Sequence, residues 1–211
     1  MRQPHPTPTP EPFPFERDSA LPHYIQPYEP AMAISSAAIA AFDALLHELH
    51  PDAARVDATR LQRLAGWLAS LPPSEARRAI DERLQCLQDL RSMAADPAWD
   101  CEPAMRRRLD RLFAYVDNED DLIPDRMPLL GLLDDVLLIE LAWPAFVDEA
   151  EDYRDFCAYR RIEHPAGDAA EQRAAWVRDR LAELALLQHQ ARVSDSHYAN
   201  GRSPESVFRV A

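Results

Sequence analysis

Apolar residues recur at three- and four-residue spacing along most of the chain from Ala33 to Arg192, and prolines or short polar clusters break the pattern at intervals. That period is helical. The first stretch runs from about Ala33 to His50 and stops at Pro51. The second, from about Ala58 to Leu71, sets Leu61, Leu64, Ala65, Leu68 and Leu71 in one stripe before Pro72 and Pro73 end it. A third opens near Ser74, with Ile80, Leu84, Leu87 and Leu90 inward and its arginines and aspartates outward. A fourth, from about Pro103 to Val116, turns Met105, Leu109, Leu112, Phe113 and Val116 to the core and carries Arg106, Arg107, Arg108 and Arg111 around them.

From Met127 to Ala142 the pattern changes, because the segment is apolar on almost every side. Such a helix is either central in a core or in a membrane. Asp134 and Asp135 interrupt it and Glu140 follows, so the uncharged run is too short to span a bilayer, where each charge costs roughly 3 kcal/mol on insertion scales. The core is expected. The run PAFVDEAEDYRDFCAYRRIE then predicts a helix with Pro144 in its first turn and Phe146, Ala150, Tyr153 and Cys157 on one side, closed by His164 and Pro165. Asp168 and Glu171 make a capping box for a last helix carrying Trp176, Val177, Arg180, Leu181, Leu184 and Leu187, ending near Arg192.

The fold class expected is all-α: a bundle of six or seven helices in one domain over residues 32–192, containing a helical hairpin at about 113–142. Residues 193–211 read as a flexible tail and residues 1–31 as a disordered proline-rich arm, since nine of the nineteen prolines fall in the first thirty positions. The alternative for the arm is a docking peptide anchored by Phe13, Phe15, Tyr24 and Tyr28. Composition agrees with helices, for only four glycines occur in 211 residues. The net charge of −13 is unevenly placed: residues 117–155 hold two arginines against thirteen acids. That field repels phosphate, so no nucleic-acid partner is expected, and cations or a basic protein surface fit better. Three cysteines without CxxC spacing, and prolines where a secretory signal needs an apolar run, favour a reducing cytoplasm.

The most distinctive motif is D-L-I-P-D, two residues, P, two residues, G, two residues, D-D: Asp121, Leu122, Ile123, Pro124, Asp125, Pro128, Gly131, Asp134 and Asp135, with Tyr115 upstream. This segment resembles the signature of the YkvA-like family of bacterial proteins. The resemblance covers about thirty residues and implies a helix-turn-helix element, with no settled activity and, for several members, a membrane-associated setting. The family often has a proline or small residue just before this element, where the chain has Asn118, Glu119 and Asp120, so the loop is more acidic here.

Residue chemistry leaves several readings of the motif. Asp125 is placed to cap the following helix. Asp121, Asp125, Asp134 and Asp135 could together hold a divalent cation such as magnesium, manganese or calcium, although no cofactor is otherwise expected. Alternatively one aspartate pairs with Arg108 or Arg111 and the other meets solvent or a loop amide. His47 and His50 sit three apart, not the four a zincin motif needs, and so complement a helix end. The acidic run Asp148 to Asp155 reads as a solvated face. The function expected is a non-enzymatic helical interaction or scaffold module acting through the acidic hairpin, with a protein partner of basic character, in the cytoplasm or held at the inner membrane by that partner. The alternative is a divalent-metal-dependent hydrolase using the four aspartates.

Overall fold

The structure, a computed structural model, describes residues 10–15, 34–118, 122–123 and 130–200, with 194–200 as backbone. Among the described residues the chain is all-helical. Its helices are α1 (Ser36–Leu49), α2 (Ala58–Ser70), α3 (Pro73–Ala95), α4 (Pro103–Val116), α5 (Leu133–Ala142), α6 (Val147–Glu163) and α7 (Ala169–Asn200). Short 3-10 turns, Leu130–Leu132 and Trp143–Ala145, flank α5. The chain divides into two compact units, His5–Asp155 and Phe156–Ala211 with Met1–Pro4.

Local chemistry sets the helix boundaries. The Ser35 hydroxyl accepts the Ala38 N–H at 3.0 Å to open α1, and the Asp57 carboxylate accepts the Arg60 N–H at 2.9 Å to open α2. Prolines at the first position open α3 and α4, where a missing donor costs nothing. The capping box at α7 forms in both directions: Glu171 N–H donates to Asp168 at 2.9 Å, and Asp168 N–H to Glu171 at 3.0 Å. Gly167 before it has φ +97°, and a Cβ there would collide with the Glu171 carboxylate.

In the unit His5–Asp155 the apolar α5 is central. It packs against α1, α3 and α4, and α4 also meets α1 and α3. Every residue of α5 except Glu140 is buried, as a helix apolar on all sides requires. Each of its large aliphatic side chains contributes about 1.5–3 kcal/mol by leaving water. Among the described residues no helix is long and apolar enough to cross a membrane.

Three features differ from the sequence pattern. On α3 the inward row includes a charge: Arg83 is 2% exposed, while Leu84 is only half-buried. Part of the proline-rich arm is docked, with Phe13 and Phe15 at 4% and 5% exposure; this is the anchor alternative for those two rings, while Tyr24 and Tyr28 lie outside the described residues. In the unit Phe156–Ala211, Trp176 is buried edge-on to Phe156 at 5.7 Å, but Val177, Leu181, Leu184 and Leu187 are exposed rather than inward. There α7 also continues past Arg192 to Asn200, since nothing before Gly201 interrupts it.

Candidate functional site

The end of α4 and the start of α5 converge on one carboxylate. Tyr115 stands in the last turn of α4, its ring edge-on to Phe42 of α1 at 5.6 Å. Past Asp117 and Asn118, whose amides close the helix on Phe113 and Tyr115 carbonyls, the chain returns at Leu122 and Ile123, both buried. Asp134, in the first turn of α5, is fully buried. Its Oδ2 accepts the Tyr115 hydroxyl at 3.0 Å, the Leu122 N–H at 3.1 Å and the Ile123 N–H at 3.0 Å. Two successive amides and a phenol directed at one oxygen form a small anion-holding nest, supported by the helix N-terminus behind it.

Arg111 makes a two-pronged pair with Glu48 of α1 at 3.0 and 3.1 Å, and Arg108 is exposed. The Tyr115 hydroxyl and the Leu122 and Ile123 amides are neutral donors, and three of them on one oxygen offset much of the cost of burying a carboxylate. Asp135 is buried beside it at 3% exposure, and Gly131 is buried in the preceding 3-10 turn. Asp121, Pro124, Asp125 and Pro128 lie outside the described residues, and with them the capping role of Asp125 and two of the four candidate metal ligands. Among the described residues no three His, Cys, Asp or Glu side chains are grouped to hold a metal ion.

No protein-family model, curated protein or solved structure matches this chain.

A second constellation was not foreseen. Arg83 of α3 donates through Nε to Glu140 Oε2 at 2.6 Å, through Nη1 to the Ala79 carbonyl at 2.7 Å, and through Nη2 to the Glu11 carbonyl at 2.7 Å. The other carboxylate oxygen of Glu140 accepts the Phe13 N–H at 2.6 Å. The guanidinium lies 3.6 Å from the centre of the Phe13 ring, and Trp67 of α2 meets that ring edge-on at 5.7 Å. A cavity of about 390 Å³ adjoins the docked arm, lined in part by His50, Cys86, Leu141 and Trp143. The signal in the sequence was the place of Arg83 between Ile80 and Leu87 on the inward row of α3, together with a lone glutamate in the apolar α5.

The two histidines hold backbone carbonyls, His50 one that belongs to α5. His47 joins the Asp43 and Ala53 carbonyls at 2.7 and 3.0 Å, and His50 Nδ1 meets the Leu141 carbonyl at 2.8 Å. Burial alone would raise the Asp43 carboxyl, but the Val56 N–H, the Arg55 guanidinium and His47 outweigh it and hold Asp43 below its ordinary value. Burial, aided by Asp89, pushes the Cys86 thiol up, so it is a poor nucleophile at neutral pH. In the acidic run at the start of α6, Asp148 and Glu151 are exposed, whereas Glu149 accepts the Trp99 indole N–H at 2.8 Å.

Proposed function

We propose that this chain is a non-enzymatic helical interaction module whose acidic hairpin presents negative charge to a basic protein partner, as the YkvA-like resemblance and the charge distribution suggest. The observation that carries the reading is the threefold hydrogen bonding of Asp134 Oδ2. That carboxylate is committed to tying the hairpin together. The tie fixes Leu122 and Ile123 directly after the sequence Asp117-Asn118-Glu119-Asp120-Asp121, so the densest acids of the chain enter it beside an anchored point. A cytoplasmic place, or one at the inner membrane through the partner, belongs to the same proposal.

The test uses the full chain and an arginine-rich helical peptide as probe, followed by fluorescence anisotropy near physiological salt. Glu119→Gln with Asp120→Asn and Asp121→Asn should weaken binding about tenfold, or 1.4 kcal/mol. A control of equal charge change at the exposed Glu75, Glu102 and Asp110 should weaken it about twofold or less at that salt. Equal losses in the two variants would sink the reading, because net charge alone would then explain binding. So would calorimetric heat with magnesium, manganese or calcium that disappears in Asp135→Asn, which belongs to a metal-dependent hydrolase.

A further inference from the structure

The helices of the unit His5–Asp155 carry a ready pair of backbone-reading groups at Arg83 and Glu140. Arg83 is 3% exposed and Glu140 17% at the side chain, and they meet at 2.6 Å. Burying such a pair is costly unless its remaining donors and acceptors are met. Here they are met by the arm: Arg83 takes the carbonyl of Glu11, and Glu140 takes the amide of Phe13, two residues further on. The pair therefore reads a C=O at one position and an N–H two positions later. The residue between needs no donor, and it is Pro12, which has none and fixes the extended backbone the spacing requires. The next side chain, Phe13, enters a slot formed by the flat face of the Arg83 guanidinium and the edge of Trp67. Phe15 is buried two residues later, 5.8 Å from the Arg60 guanidinium.

We infer that this groove is a recognition site for extended proline–aromatic segments of the pattern x-Pro-Phe-Pro-Phe, and that the chain's own Pro10–Phe15 occupies it as an internal stand-in for such a partner segment. The seated arm shows the chemistry of the occupant: a backbone carbonyl, a proline, and an aromatic residue with a free N–H. Main-chain hydrogen bonds provide register and the aromatic slot provides selectivity, as in other grooves that take proline-rich peptides. Because the internal segment is tethered, it acts at an effective concentration of about a millimolar and holds the groove against weak competitors. The cavity of about 390 Å³ beside the arm leaves space for a bulkier side chain than the arm itself supplies. This site is distinct from the Asp134 tie at the start of α5 and takes from the hairpin only the far end of that helix, at Glu140.

The test uses the full-length chain and a fluorescein-labelled peptide copying residues 9–16. Phe13→Ala frees the groove and should bind the peptide about tenfold more tightly than the unaltered chain. An N-methyl group on the peptide nitrogen that corresponds to Phe13 removes the donor to Glu140 and should cost about tenfold in affinity. Circular dichroism verifies that the variant keeps its helices; if Phe13→Ala loses them, Phe13→Leu, which keeps an apolar side chain but removes the ring from the Arg83 slot, is read in the same way. Equal binding by variant and unaltered chain, or equal binding of the methylated and plain peptides, overturns the inference. Absence of binding by a folded variant at about a millimolar peptide overturns it as well and makes the arm a purely structural strap.

Discussion

Asp134 is the residue on which most depends, because three donors from two separate stretches of chain end on one of its oxygens. Asp134→Ala leaves two buried amides and a phenol without their acceptor and should destabilise the fold by about 3 kcal/mol in urea unfolding. Tyr115→Phe removes only one donor and should cost about 1 kcal/mol. Asp43 makes a pH-dependent contribution. Its folded pKa lies below the ordinary 3.8, so its stabilisation is present above that value and is lost as pH falls through the folded pKa. The difference in Tm between the unaltered chain and Asp43→Asn should be full at neutral pH and close in strong acid; a constant difference would contradict the pairing. The thiols provide another reading. Cys86 and Cys101 are buried and Cys157 is half-exposed, so Ellman's reagent should find one fast thiol in the native protein, at Cys157, and the rest only on unfolding.

At the scale of elements, the helices were legible because each carries its own period and its own stops: Pro51, Pro72 with Pro73, Pro103 and the Asp168–Glu171 box mark boundaries that depend on nearby residues alone. The central place of α5 was legible for the same reason, since a helix apolar all round that is too short to span a bilayer is stable inside a core. What depended on distant contacts was not. Arg83 falls on the inward row of α3 in sequence, but the acceptors that let it be buried come from Glu140, 57 residues away, and Glu11, 72 residues away. Arg111 offered Asp134 a partner in sequence, and the fold pairs it with Glu48, 63 residues away. The outward face of α7 carries leucines at the same spacing as a buried face, and spacing alone does not say which neighbour arrives. The α3–α5 pair yields an element-scale prediction. Arg83→Met leaves Glu140 half-buried without its cation and should cost about 3 kcal/mol, whereas joining it to Glu140→Leu should cost less than the two single changes together. Additive losses in a double-mutant cycle would show that the two residues act independently.

For the molecule as a whole, Asp134 organises structure, and the two proposals assign recognition to separate surfaces: an acidic hairpin for a basic partner and a groove filled from within by a proline–phenylalanine segment. The hairpin can present its charge in a defined place only if it belongs to the same cooperative unit as α5. The most direct check is amide hydrogen exchange at Leu122 and Ile123 in the native protein. The account predicts that both amides exchange as slowly as those of α5, and that Asp134→Ala abolishes their protection while lowering the Tm. Rapid exchange at Leu122 and Ile123 in the unaltered chain, or protection and Tm left unchanged by Asp134→Ala, would contradict it.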